Sequence, residues 1–312
     1  MPTTVPNIAD RLRAESIAQH QIRSRLVPLL TIVEQMESLY DRAIGAIADH
    51  PKPGAAMKVG LILTTRLVND LRVCSLTSQF GYGLQALVLA GTVLELVGSL
   101  SYVGDSDARS LAWANHSDHK HSYPPKVGDG IEATLKALGI SDPAVSENWK
   151  QAYTFMCMAK HANPFLSLLQ GLGIDSSGAY HVCGPDTSDV GMMLSARALW
   201  YAIGFGTFGV HVALGHSSDN VLQTQLRAEV RSINDSFRGL EPWYLEVIKP
   251  QPSPTLRSEQ EASALSSEAQ RLESETDRLR GETERIKQET RRLQQETGKV
   301  RRARSGRRPP SA

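Results

Sequence analysis

The sequence predicts an all-α protein, a multi-helix bundle followed by a C-terminal coiled-coil helix. Three observations favour this class. Apolar residues recur at three- and four-residue steps through most of residues 1–245, which is the period of a helix that buries one face. Strand-type alternation is nearly absent. Near the C-terminus, aliphatic residues recur at every seventh position, as they do in coiled coils.

The first predicted helix, or broken pair of helices, extends from Asn7 to about His50. Pro51 and Pro53 end it, because proline lacks the backbone donor and restricts the residue before it. The stripe that this helix is predicted to bury consists of Leu26, Leu29, Leu30, Ile32, Val33, Met36, Leu39, Tyr40, Ala43 and Ile47.

The rest of this region alternates predicted helices and loops. A polar loop follows Gly104, a short helical turn covers 165–172, and a loop over 174–188 contains a small hairpin around 180–183. Ser141 is predicted to cap a helix, because serine at a helix start accepts a hydrogen bond from the backbone. The other helices are predicted over 56–78, 82–103, 129–138, about 189–214 and about 217–238.

Composition limits the class of protein. A chain of 312 residues is long enough to bury a core in one large or two ordinary domains. Three cysteines are too few for a disulfide-stapled secreted scaffold, and the odd number indicates reduced thiols. The N-terminus lacks the basic and then apolar segment of a signal peptide. We therefore expect a cytoplasmic protein.

The domain organisation follows from a change of composition near residue 246. Residues 1–245 are the predicted helical globular domain, and 246–261 are a Pro-rich linker. A coiled coil is predicted over 262–304 and a disordered basic tail over 305–312. The aliphatic residues at the heptad d positions are Leu265, Leu272, Leu279, Ile286, Leu293 and Val300.

The charges in the coiled-coil segment favour a parallel orientation. Glutamate occupies every g position, and a parallel pair places each g residue beside the e position five residues on. Glu275–Arg280 and Glu282–Lys287 then attract, whereas antiparallel pairing sets glutamate against glutamate. Threonine at most a positions adds little apolar area, so the coil is predicted to be marginal alone. The predicted partner is a second or third copy of this chain; a solvated single helix and a disordered charged tail are the alternatives.

The basic run Lys299–Arg308 indicates a second kind of partner. It has six basic residues in ten and no acidic one, so it is able to contact the phosphates of nucleic acid or an anionic membrane surface. It has no aromatic residue that would stack on a base. A tail that is simply solvated is the alternative interpretation.

Two groups of residues carry metal-ligand chemistry. Cys157 and His161 are four residues apart and share a helix face, and His181 and Cys183 offer the same two ligand types further on. The four would complete a Cys2His2 zinc site, whereas the alternatives are small buried cysteines or a Cys–His nucleophile. No other cofactor is predicted. A looser group lies in the predicted polar loop and consists of His116, Asp118, His119 and His121.

One region resembles a known group of proteins. An apolar helix over 83–104 carries Glu95, and residues Met158–Asn163 read Met-Ala-Lys-His-Ala-Asn. This pattern, within residues 60–240, resembles all-helical bacterial proteins near the HEPN and abortive-infection type. The sequence departs from the pattern at Gly91, where an arginine before the helical glutamate is expected.

The resemblance implies an RNA-cleaving defence protein. HEPN ribonucleases use an arginine and a histidine, with a few residues between them, near an RNA phosphate. Arg109 and His116 fit this spacing and are the candidate catalytic residues, and Arg13 and His20 fit it equally. A guanidinium stabilises phosphate charge and an imidazole moves a proton.

Two apolar segments, 84–103 and 198–214, approach the roughly 20 residues that a membrane span needs. Arginine-rich flanks would place both ends of such a helical hairpin inside. Glu95 lies in the middle of the first segment, where a charge is costly in a bilayer, and His211 is the only candidate charge in the second. The sequence favours burial of both segments in a soluble bundle.

The leading prediction is a cytoplasmic interaction or assembly protein that self-associates through its C-terminal coil. An RNA-cleaving protein and a membrane protein with the hairpin described above are the alternatives.

Overall fold

The computed structural model describes residues 8–49, 52–104, 106–116, 126–161, 166, 172–175, 178–181, 184–215 and 220–249. The chain divides into two units, Met1–Pro250 and Gln251–Ala312. The predicted coiled coil and basic tail lie outside the described residues, as does the predicted linker beyond residue 249. The elements are α1 (Ile8–Ala48), α2 (Ala55–Gln79), α3 (Gly83–Val103), α4 (Asp107–Ala114), α5 (Val127–Ala137), α6 (Pro143–Lys160), β1 (Leu172–Asp175), β2 (Gly178–His181), α7 (Asp189–Leu214), α8 (Asn220–Gly239) and α9 (Glu241–Ile248).

The predicted all-α class is confirmed. Nine helices account for most of the described residues of the first unit, and they pack as a multi-helix bundle. β1 and β2 form one antiparallel hairpin, in which Leu172 pairs with His181 and Asp175 with Gly178. The hairpin therefore begins earlier than its predicted position, and β1 starts where the predicted helical turn ends.

Helix α1 is one continuous helix of 41 residues and not a broken pair. Pro28 lies inside it and removes one backbone donor. Every residue of the predicted stripe is buried. This burial stabilises the helix on both sides of the proline, so the helix continues through it. Arg72 of α2 ties the same helix to its neighbour, because its guanidinium lies 3.0 Å from Glu37 Oε2 and 3.1 Å from Asp41 Oδ2.

Helices α3 and α7 lie at the centre of the unit and run parallel. A Cβ at Gly83, at the start of α3, would lie 2.6 Å from Leu194 Cβ, and one at Gly209 would lie 3.0 Å from Val97 Cγ2. α3 also packs against α2, α4, α5 and α6, and α7 also packs against α1, α2, α8 and α9. Neighbours on several sides explain why both helices are apolar around most of their circumference.

Among the described residues, α3 is the one helix that is long and apolar enough to cross a membrane by length and composition. The mean hydropathy of its most apolar stretch is 1.8, and 67% of that stretch is buried within the protein. A core helix of a bundle shares both properties. The second predicted span, 198–214, lies within α7, so the two segments pack along each other.

Three local predictions are corrected by the structure. The stretch after α3, predicted as a loop, contains α4, and the Ser106 hydroxyl caps its start by accepting a backbone hydrogen bond at 3.3 Å. Asp142 caps α6 in place of Ser141, since its carboxylate accepts a backbone hydrogen bond at 2.9 Å. Helix α9 continues to Ile248, so the first three residues of the predicted linker are helical.

Candidate functional site

A cleft of about 1250 Å³ opens at the C-terminal ends of α3 and α7, with α4, α5 and α8 as its other walls. This volume exceeds the usual range of small-molecule sites, so space does not limit the ligand. We call it the histidine cleft. The charged side chains and the histidine that line it are Arg109, Asp129, Glu132, Lys136, His211, Arg227 and Arg231.

Helix α8 supplies a pair of arginines. Arg227 and Arg231 are one helical turn apart on the exposed side and both line the cleft. Within the part of the chain that the structure describes, neither has a carboxylate within ion-pairing distance. Their helix is anchored to the core by the buried residues Leu226, Val230, Ile233 and Phe237.

A further contact holds α8 against α1. Arg42 of α1 lies opposite Glu229 of α8, and its Nη1 donates to Glu229 Oε1 at 2.8 Å. The hydrogen bond from Arg42 lowers the pKa of the Glu229 carboxyl. The part of α8 that carries the two arginines is therefore attached to the bundle in two ways, by its buried apolar residues and by the contact between Glu229 and Arg42.

His211 lies in the last turn of α7 and is half-buried in the cleft wall. Burial lowers its pKa from the ordinary value of 6.5, and the positive charges of Arg227 and Arg231 lower the pKa further. The imidazole is therefore neutral near pH 7, with one nitrogen that donates and one that accepts. The two guanidinium groups lie close enough to the ring to act on it.

The Arg109 guanidinium is held in place at the cleft. Its Nη1 donates to the Tyr102 carbonyl oxygen at 2.7 Å, and its Cζ lies 4.9 Å from the centre of the Tyr102 ring. Stacking on an aromatic face is a favourable position for a guanidinium. The Arg109 guanidinium is therefore a positive charge in a fixed position at the cleft wall.

Helix α5 forms the remaining charged wall. A Cβ at either Gly98 of α3 or Gly130 of α5 would lie 3.0 Å from the Cα of the other, so the two backbones are in close contact. This contact brings exposed Asp129, Glu132 and Lys136 to the cleft. The cleft thus combines a basic wall with a mixed wall that contains two carboxylates.

The structure describes both residues of the predicted catalytic pair. Arg109 lines the histidine cleft, whereas His116 is an exposed residue just after α4 and is not among the lining residues. Arg13 and His20 are exposed on α1. The histidine that shares the cleft with Arg109 is His211.

The other histidines of the predicted polar loop, His119 and His121, lie outside the described residues, as does Asp118. The metal prediction also falls partly there, because Cys183 and the side chain of His181 are not described. Cys157 is half-buried on α6, and His161 is exposed directly after it. Over the described ranges, no group of three or more histidine, cysteine, aspartate or glutamate residues is placed to hold a metal ion.

Glu95, the charged residue of the apolar helix α3, has partners on α6. Tyr153 Oη donates to Glu95 Oε1 at 2.6 Å, and Lys160 Nζ lies 3.4 Å from the same oxygen. Burial and the hydrogen bond to Glu95 raise the pKa of Tyr153, so its hydroxyl remains a donor. These contacts give the half-buried carboxylate two partners and attach α6 to α3.

Comparison with known proteins identifies no relative. No protein-family model matches the chain, and neither the curated proteins nor the solved structures give a match. The cleft and the heptad pattern of the sequence are therefore the two features of the chain that indicate a function.

Proposed function

We propose that the protein is a cytoplasmic assembly protein that self-associates through a parallel coiled coil over residues 262–304. The observation that carries the proposal is the series of aliphatic residues at six successive d positions, with glutamate at every g position. The helical unit that precedes the segment supplies a folded body for each copy.

The stability of such a coil depends on the bodies that it joins. Each buried leucine contributes roughly 1.5–3 kcal/mol, whereas ordering the backbone costs on the order of 1–2 kcal/mol per residue. Exposed g–e pairs add only about 0.2–1 kcal/mol each. A coil with threonine at most a positions is therefore weak, and we expect a concentration-dependent equilibrium between single chains and dimers or trimers.

The test is the mass of the full chain in solution, measured by light scattering over a range of concentrations. We expect a mass of two or three chains that falls towards one chain in the variant Leu279→Lys/Ile286→Lys, which places charges at d positions. The matched control is Gln288→Lys/Gln295→Lys, which adds the same charges at the outward f positions and keeps the assembled mass. Equal masses for both variants would refute the proposal.

Orientation is tested by exchanging charges between a g and an e position. Glu282→Lys or Lys287→Glu alone places like charges together in a parallel pair and weakens association, and the double exchange restores it. An equimolar mixture of the two single variants forms mixed assemblies in preference to either alone. Weakening by one exchange without restoration by the second contradicts the parallel register.

A second candidate function is RNA cleavage, which the resemblance implies. The observation that favours it is the position of Arg109 in a cleft together with a neutral imidazole, that of His211. A ribonuclease at this cleft loses activity on mixed RNA in His211→Ala and keeps it in His116→Ala. A ribonuclease that uses the pair predicted from the sequence shows the reverse.

A further inference from the structure

The histidine cleft supports a binding function that is independent of self-association. We infer that the cleft binds a phosphate monoester of a small polyhydroxylated compound, a sugar phosphate in chemical class. The phosphate would contact Arg227, Arg231 and Arg109, and the hydroxyl groups would contact Asp129 and Glu132.

The phosphate subsite rests on the arrangement of the arginines. Arg227 and Arg231 both line the cleft from one face of α8, and the ion pairs among the described residues leave both without a carboxylate. Two guanidinium groups one turn apart offer paired N–H donors to a single phosphate, whose geometry they match. Arg109 adds a third guanidinium, held by its hydrogen bond to the Tyr102 carbonyl.

His211 completes the basic side of the cleft. Its ring is half-buried beside the arginine pair and is neutral near pH 7, so it donates one hydrogen bond to a phosphate without adding to the repulsion between the arginines. A bound dianion would attract a proton to the ring, and binding is therefore expected to raise the pKa of His211. Asp129, Glu132 and Lys136 of α5 and Arg109 of α4 are the other charged groups that line the cleft.

The hydroxyl subsite rests on the carboxylates of α5. Carboxylate oxygens accept hydrogen bonds from hydroxyl groups and repel a second anionic group. Asp129 and Glu132 therefore favour a ligand with one phosphate and a neutral, hydroxylated body over a ligand with several phosphates. Lys150 lies 3.4 Å from Glu132 Oε1, which orients that carboxylate.

The aromatic residues of the cleft argue against a nucleotide as the occupant. Tyr102 and Phe208 are the aromatic side chains among the lining residues. The Tyr102 ring is covered by the Arg109 guanidinium, and Phe208 packs against Trp149 with ring centres 4.9 Å apart. Each ring therefore has one side occupied by a neighbour, which reduces the aromatic surface on which a base would stack, and base stacking is a main source of affinity for nucleotides and single-stranded RNA.

A purely structural role for the arginines makes a different prediction. The C-terminal ends of α3 and α7 point at the cleft, and helix C-termini attract positive charge. Arginines that only neutralise these ends would lower stability when replaced, and phosphate esters would not bind at the cleft in any variant. Binding measurements therefore separate the two roles.

The experiment is calorimetric titration of the full chain at low ionic strength with glucose 6-phosphate, inorganic phosphate, glucose and AMP. We expect glucose 6-phosphate to bind at least tenfold more tightly than inorganic phosphate and AMP, and glucose not to bind. Arg227→Gln/Arg231→Gln should weaken glucose 6-phosphate binding roughly tenfold or more for each arginine, since each loses a charge-assisted hydrogen bond.

Three further variants make the result specific. Arg238→Gln, on the exposed surface of α8 but outside the cleft lining, should leave binding unchanged. Asp129→Asn/Glu132→Gln should weaken glucose 6-phosphate binding towards that of inorganic phosphate, without weakening inorganic phosphate itself. Arg227→Lys/Arg231→Lys keeps the charge and loses the paired donors, so an intermediate affinity is expected.

Several outcomes would overturn the inference. They are tighter binding of AMP or of a short RNA than of glucose 6-phosphate, equal losses in the Arg238→Gln and cleft variants, or no phosphate binding by the wild-type chain at millimolar concentration. Unfolding temperatures measured alongside show whether a variant has lost its fold. The lysine variant keeps the test valid if the glutamine variant does not fold.

Discussion

The contact between Tyr40 of α1 and the backbone of α7 gives a prediction about the core. Tyr40 is fully buried, and its hydroxyl donates to the Gly206 carbonyl oxygen at 2.6 Å. Burial raises the pKa of Tyr40, so the hydroxyl remains protonated and continues to donate. One turn further along α7, a Cβ at Gly209 would lie 2.6 Å from the same hydroxyl oxygen.

The perturbation is a pair of substitutions, Tyr40→Phe and Gly209→Ala, made singly and together. Tyr40→Phe removes a buried hydrogen bond and should cost about 1–2 kcal/mol. Gly209→Ala gains about 1 kcal/mol of helix propensity, but its methyl group overpacks the contact, which costs about 1–3 kcal/mol or more. We expect each single variant to be destabilised.

The double variant is the informative one. Without the Tyr40 hydroxyl, the new methyl group of Ala at position 209 loses its shortest contact, although Val97 and Leu67 remain at 3.0 and 3.1 Å from the Cβ position. The double variant should therefore be less destabilised than the sum of the single variants, by about 1 kcal/mol, which is within the range for residues in contact.

The assay is thermal unfolding followed by circular dichroism, in which about 1 kcal/mol shifts the midpoint by roughly 2–4 °C for a unit of this size. Tyr82→Phe is the matched control. Tyr82 also donates through its hydroxyl, to Glu15 Oε1 at 2.7 Å. It lies at the start of α3, whereas Gly209 contacts Val97 near the end of that helix. Its effect should add to that of Gly209→Ala. Additivity for the Tyr40 pair as well would refute the packing argument.

Three further predictions concern other parts of the unit. Gly98→Val should be strongly destabilising, because its Cβ atom would already collide with the Gly130 backbone and no rotamer moves that atom. We expect a much lower unfolding temperature for this variant. Cys74 should not react with a thiol reagent at pH 8 in the folded protein, because burial raises the pKa of its thiol to about 12, and it should react after unfolding. The lowered pKa of His211 means that the unfolded chain binds more protons just below pH 6.5, so stability falls as the pH drops through that window. Arg227→Gln should raise this pKa in an NMR titration, and an unchanged value would contradict the proximity of the two groups.

The helical framework was predictable because its signals are local. The helical spacing of apolar residues, together with flanking glycines or prolines, placed the ends of α2, α3 and α7 within a residue or two of those observed. The buried stripe of α1 was predicted from spacing alone. Helix α4 was missed because its 8 residues form only about two turns, which is too short to show a repeating apolar period, so its capping residue Ser106 was the only strong signal.

The cleft was not predictable in the same way. Its residues come from α3, α4, α5, α7 and α8, and only the packing of those helices brings them together. The sequence did contain partial signals. His211 is the only candidate charge in an apolar segment, and Arg227 and Arg231 are spaced for one helix face. Arg109 was singled out as a candidate catalytic residue, and it lines the cleft together with His211, which is distant from it in the sequence.

Helix α3 is apolar on nearly every side, which has a consequence for how the core is specified. A helix that is apolar on all sides can rotate about its own axis or shift by one turn with little change in the apolar area that it buries. The rotation of such a helix about its axis must then be fixed by the residues that are not large and apolar. Glu95, which accepts a hydrogen bond from Tyr153, and Gly98, whose backbone contacts the backbone of α5, favour the observed orientation. In this protein the least hydrophobic residues of the central helix determine where the hydrophobic ones go.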